Sequence, residues 1–127
     1  MSEREAFNYS IIRIIPRVDR QEFLNAGIVL FSRTRHLLTC RIDYSLPRLQ
    51  SFSPEADIDI IRKQLKAIEC ICTGDPTAGY FCGLSQSERF SWLVAPTSTI
   101  VQMSPAHTGI GSNLSHELDA LYDLLVA

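Results

Sequence analysis

Apolar residues recur with period two in the first third of the chain and with a period near 3.6 in two later stretches, which predicts strands followed by helices. Phe7 to Ile15 is rich in aromatic and β-branched residues and is stopped by Pro16, the signature of a strand. A polar loop, Arg17 to Gln21, leads to a second strand near Ala26–Phe31. The turn residues Ser32 to Arg35 join it to a third, His36–Asp43, as an antiparallel hairpin. Within that third strand Leu38, Cys40 and Ile42 share one face, and Leu37, Thr39 and Arg41 the other. Such alternation predicts a sheet covered chiefly on one side.

Leu46–Phe52 reads as a short helical turn. A longer helix starts at Ser53 and Pro54, which offer a hydroxyl cap and a proline at the first helical position, with Glu55 and Asp57 at the positive end of the dipole. Ile58, Ile61, Leu65, Ile68 and Cys72 then form an apolar stripe, and Gly74 and Pro76 end the helix. Residues 73–88 read as a loop with at most a short helical piece. Phe90–Val94 and Thr99–Met103 predict a second hairpin around Ala95–Ser98, followed by a loop from Ser104 to Gly111. A final helix is capped at Ser112 or Asn113 and carries Leu114, Leu118, Leu121 and Leu125 on one stripe. The order βββ-α-ββ-α predicts an α+β fold, an antiparallel sheet of about five strands with the helices packed on one face.

Composition narrows this picture. A chain of 127 residues with 46% hydrophobic side chains builds one domain, residues 1–127, without help from disulfides or metal. No apolar run reaches the roughly 20 residues that span a bilayer, and the polar, acidic start from Met1 to Glu5 is the opposite of a signal peptide. Cys40, Cys70, Cys72 and Cys82 lack secretory spacing, so the expectation is reduced thiols in a cytoplasm. Residues 1–50 carry a net charge of +3 and residues 51–127 a net charge of −5. The basic half favours an anionic partner, but the overall balance of −2 argues against a non-specific nucleic-acid binder.

The candidate chemistry is sparse. Alternation puts Arg13 on the face of Phe7, Tyr9, Ile11 and Ile15, where a guanidinium needs partners. An Arg13–Glu22 pair bracing the strands is the structural solution, and a bidentate anchor for phosphate or carboxylate the functional one. Asn25 either bonds nearby backbone or serves a ligand, and Gly27 marks a bulge or a close backbone approach. His107, beside Thr108 and Gly109, sits where a loop side chain can face a cleft, although a lone histidine is equally a turn or core contact. The Cys70-Ile-Cys72 spacing does not suit a structural zinc site. No phosphate loop, nucleophile elbow or carboxylate pair appears, so no cofactor and no catalytic residue is expected.

Three segments carry a resemblance: Tyr9-Ser-Ile-Ile-Arg13-Ile-Ile-Pro16, Glu22-Phe-Leu-Asn25-Ala-Gly27-Ile-Val-Leu-Phe31, and Ser98-Thr-Ile-Val-Gln102-Met-Ser104-Pro105-Ala-His107-Thr108-Gly109. Together they resemble the bacterial family DUF3037, a domain of unknown function, over nearly the whole chain. The resemblance implies a bacterial cytoplasmic protein and marks Arg13, Glu22, Asn25, Gly27, His107 and Gly109. Members are often encoded beside HipA-like kinases, which implies an accessory or regulatory partner of such a kinase. Two further expectations stand beside it. One is a small enzyme or ligand-binding domain for a phosphate-bearing or nucleic-acid substrate, with Arg13, Glu22, Asn25 and His107 converging in a cleft. The other is a homodimer formed through Leu37 or through strand edges.

Overall fold

The computed structural model describes residues 4–75, 77, 79–95 and 99–127, with Val18 and Phe81 described through their backbone alone. Strands β1 (Glu5–Ile14), β2 (Leu24–Ser32) and β3 (Leu37–Ile42) form an antiparallel meander where the alternating segments predict it. Then come α1 (Leu49–Phe52), α2 (Ile58–Thr73), α3 (Gln86–Val94), β4 (Val101–Met103), β5 (His107–Gly111) and α4 (Leu114–Leu125). The sheet runs β3-β2-β1-β4, and β5 also pairs with β1, every pairing being antiparallel. The fold is α+β with a five-stranded sheet, as the pattern predicts.

The helices are divided between the two faces rather than gathered on one. Ile12, Ile14, Val29, Phe31 and Leu38 pack with α2 and α3, through Ile61, Leu65 and Phe90. On the other face, Phe7, Ile11, Ile28 and Leu30 pack with Leu114 and Leu118 of α4. The physical reason lies in the central strands: Ala26 to Ser32 are buried without interruption, so both sides of β2 must be covered. Arg41 fastens α4 to β3, bonding Asp119 at 2.9 Å while its guanidinium lies 4.0 Å above the Tyr122 ring.

The second predicted hairpin is replaced by a helix and a bulged strand. Phe90 to Val94 belong to α3, which Ser85 opens by accepting from the Glu88 amide at 3.2 Å while its hydroxyl bonds the Glu88 carboxylate. Residues 96–98 of the predicted turn lie outside the described residues, as does Pro76. The predicted loop before the last helix shrinks to Ser104–Ala106, because His107 to Gly111 form β5. The long helix begins later than expected, at Ile58, since the Asp57 carboxylate receives the Asp59 and Ile60 amides. Its end is as predicted: Gly74 takes a left-handed conformation, φ 74°, and its amide bonds the Cys70 carbonyl. Asn113 caps α4 by accepting from the His116 amide at 3.1 Å.

Arg89 completes the α2 terminus from outside. Its buried guanidinium donates to the carbonyls of Ile71 at 2.7 Å and Cys72 at 3.0 Å, and through Nε to Leu84 at 2.9 Å. A cation suits the negative end of a helix dipole, and these carbonyls have no partner within the helix. Arg89→Met is therefore expected to lower the unfolding free energy by about 3 kcal/mol, the scale of losing charged donors to buried carbonyls. Arg89→Lys should fall between. Urea denaturation measures the loss, and a value below about 0.5 kcal/mol, ordinary for a surface change, would remove the capping role.

Candidate functional site

Arg13 stands at the centre of the polar groups on the α4 side of the sheet. Its neighbours across β1 are Asn25 on β2 and Gln102 on β4. The pairing of β1 with β2 slips at this point, from Ile12↔Gly27 to Arg13↔Asn25, leaving Ala26 as the extra residue of a bulge. A Cβ at Gly27 would lie 2.7 Å from the Arg41 carbonyl of β3, so the strand closes up only over glycine. Pro16 follows directly, after Ile15 has donated its amide to the Ile100 carbonyl at 2.6 Å.

The Arg13 guanidinium lies 4.2 Å above the Phe23 ring. The Asn25 amide nitrogen donates to the Leu125 carbonyl at 3.0 Å, tying β2 to the last turn of α4. Two polar atoms here are buried without a hydrogen-bond partner, Arg13 Nε and Asn25 Oδ1. An unsatisfied donor and acceptor on register-paired residues suit a small group able both to accept and to donate.

Glu22 is elsewhere. The expected Arg13–Glu22 pair is absent, because Glu22 precedes β2 in the loop and pairs with Arg20 at 2.7 Å in solvent. It borders a hollow of about 50 Å³ with Pro16 and Phe52, room for water and little more. His107 holds its ring 5.3 Å from that of Tyr9, its register partner, at a tilt of 33°. That level is about 13 Å from Arg13 at the rise of a strand, with Ile11 between. Thr108 lies on the opposite face and donates to Asn8 Oδ1 at 3.3 Å. A Cβ at Gly109 would lie 2.4 Å from the Phe7 ring, which occupies that space. Arg13 and Asn25 thus come together, while Glu22, His107 and Thr108 do not join them in one cleft.

Packing brings together two residues that the sequence shows only separately. Cys40 on β3 and Cys72 on α2 meet inside the core, where each thiol shifts the other's titration. The interaction with Cys72 lowers the Cys40 pKa against the opposing effect of burial. The same interaction, with burial, raises that of Cys72. Each lies on an inward stripe legible in the sequence, but their meeting requires α2 to cross β3.

A groove of about 650 Å³ opens between α2, α3 and β4. Ile68, Ile71, Leu93 and Met103 line it, and Trp92, 45% exposed, stands at its side. The backbone of β4 is guarded here: the Val101 amide donates to Gln64 Oε1 at 3.3 Å, and the Val101 carbonyl accepts from Thr99 at 2.7 Å. With those groups satisfied, the lining offers chiefly apolar surface for burial. Trp92 was hidden from sequence reading by the strand assignment of its segment.

The model of a family described as "Protein of unknown function (DUF3037)" matches residues 9–126. No curated protein and no solved structure matches the chain.

The thiol pair makes a checkable chemical difference, since the thiolate is the reactive form. Iodoacetamide near neutral pH should alkylate Cys40 before Cys72, with peptide mass spectrometry following each site. Cys72→Ala should slow alkylation at Cys40 by raising its pKa, whereas Cys72→Ser, which keeps a donor, should restore much of the rate. Equal rates at Cys40 in the parent and Cys72→Ala would show that the neighbouring thiol does not control it.

Proposed function

Because the chain belongs to the DUF3037 family, whose model spans nearly all of it, we propose that it is a non-catalytic interaction module that docks on another bacterial protein. The partner suggested by the family resemblance is a HipA-like kinase encoded nearby, with this domain as its accessory or regulator. The observation that carries the proposal is the apolar groove beside Trp92. Tryptophan against aliphatic side chains is the composition of an interface hot spot, and an apolar segment of the partner would fill the groove. Among the described residues no helix is long and apolar enough to cross a membrane. The proposal also places the domain in the cytoplasm, where the four cysteines, all unpaired in the structure, persist as thiols.

A small-ligand role is favoured by a different observation, the unsatisfied Arg13 Nε and Asn25 Oδ1. A phosphate-bearing ligand or a nucleic-acid fragment is the substrate class that an arginine fork suits. Only two of the four expected residues serve such a site, so docking is the preferred role.

The purified protein should co-elute with the kinase encoded beside it, and Trp92→Ala should weaken the complex about thirtyfold, the effect of a hot-spot loss near 2 kcal/mol. No complex at micromolar concentrations, or full affinity in Trp92→Ala, would overturn docking through the groove. The ligand role predicts a rise in melting temperature with inorganic phosphate or a dinucleotide that disappears in Arg13→Ala. An unchanged melting curve in the parent protein would end it.

A further inference from the structure

Among the described residues no strand pairs with the outer edge of β5, and its residues complement their own copy about a two-fold axis. Ile11 of β1 and Ile15, the residue just beyond it, turn their backbone groups toward the β4–β5 side: Ser104 N donates to Ile11 O at 2.9 Å, and Ile15 N to Ile100 O at 2.6 Å. Alternation along β1 turns Tyr9 and Phe7 the same way, so their register partners His107 and Gly109 bond inward. Thr108 and Ile110 therefore direct their amides and carbonyls outward, away from β1. Both side chains are exposed, Ile110 by 58%, and it sits beside the exposed Ala6.

Strand edges are normally protected by charge, proline or a covering side chain. On β4 the cover is Gln64 and Thr99 at Val101. From Ala106 to Gly111 there is no lysine, arginine, aspartate, glutamate or proline.

We propose that β5 pairs antiparallel with β5 of a second copy of this chain, centred on Gly109, and joins two sheets into one. In this register each Thr108 lies opposite Ile110 of the second copy, and the outward groups of each pair exchange both backbone bonds. A β-branched pair on that face also packs well. Each His107 meets the second copy's Gly111, a position without a side chain. The Glu117 carboxylate of α4 fills that space, as a Cβ on Gly111 would lie 2.6 Å from Glu117 Oε1. Each imidazole is thus set against the second copy's Glu117 carboxylate, a contact made twice by symmetry. These steric and polar matches select a second copy over an arbitrary extended peptide. The two-fold uses each open edge once, so the assembly closes as a dimer rather than growing as a fibre.

The proposal is independent of the groove and of any kinase. Light scattering coupled to size exclusion should give twice the 14.3 kDa chain mass. Hydrogen exchange should show slow amides at Thr108 and Ile110. Thr108→Pro removes an outward amide that the fold does not use, and proline is tolerated on an edge strand. That variant should be monomeric with an unchanged circular dichroism spectrum, and Ile110→Lys should also be monomeric. Glu117→Gln should weaken the dimer severalfold. A monomeric parent protein would overturn the proposal, as would a dimer that survives both edge variants. So would protection of the two amides that appears only when a different extended chain is added.

Discussion

The structure depends on β1 having to satisfy neighbours on both edges and both faces. One edge is taken by β2. The other is shared by β4 and β5, two pieces of one bulged strand: Ile12 pairs with Met103 and Tyr9 with His107, so Ser10 and Ile11 oppose Ser104, Pro105 and Ala106. The extra residue would leave the Ile11 amide without a backbone acceptor. The Ser104 hydroxyl accepts it at 2.8 Å, and the Ser10 hydroxyl bonds the Ser104 carbonyl at 2.6 Å. Both serines are fully buried. A buried polar group is tolerated when it is satisfied, and here each satisfies the other's strand.

The length of β1 between its two outer partners explains why the candidate residues separate. Gln102 of β4 lies beside Arg13, whereas His107 of β5 lies beside Tyr9, four residues back along β1, a gap that the one extra residue of the bulge does not close. The second bulge, at Ala26, sets Asn25 opposite Arg13 and within reach of the Leu125 carbonyl. Asn25 therefore ties the sheet to α4 before it can serve any ligand. Arg48 does similar work at the Val126 carbonyl, 2.9 Å away. The last turn of α4 is thus held by two side chains from distant parts of the chain.

Much of this fold was legible in the sequence where one period dominated. The stripes of Ile61 and Leu65, and of Leu114 and Leu118, become buried helix faces. The split of β3 is also as expected, with Leu38 in one core and Leu37 against the other. Where two periods fit, the reading failed. Phe90, Trp92 and Val94 alternate as a strand would, and the Ser85-to-Glu88 capping box was the signal that should have decided for a helix. The run Ile28-Val-Leu-Phe31 has no polar face, a warning that helices would cover both sides. Bulges, the Cys40–Cys72 contact and the Trp92 groove arise from register and packing between distant segments, which spacing along one chain does not encode.

Arg89 has a further consequence, one of timing. Until α3 docks, the last turn of α2 displays carbonyls to water; once α3 docks, the charge that closes them is sealed from solvent. Pulling α3 away exchanges two charge-assisted hydrogen bonds for hydration, so each helix end is firmer with the other in place. Docking of α3 and order in the last turn of α2 are therefore coupled, and fraying of α2 is opposed by a residue sixteen positions beyond its end.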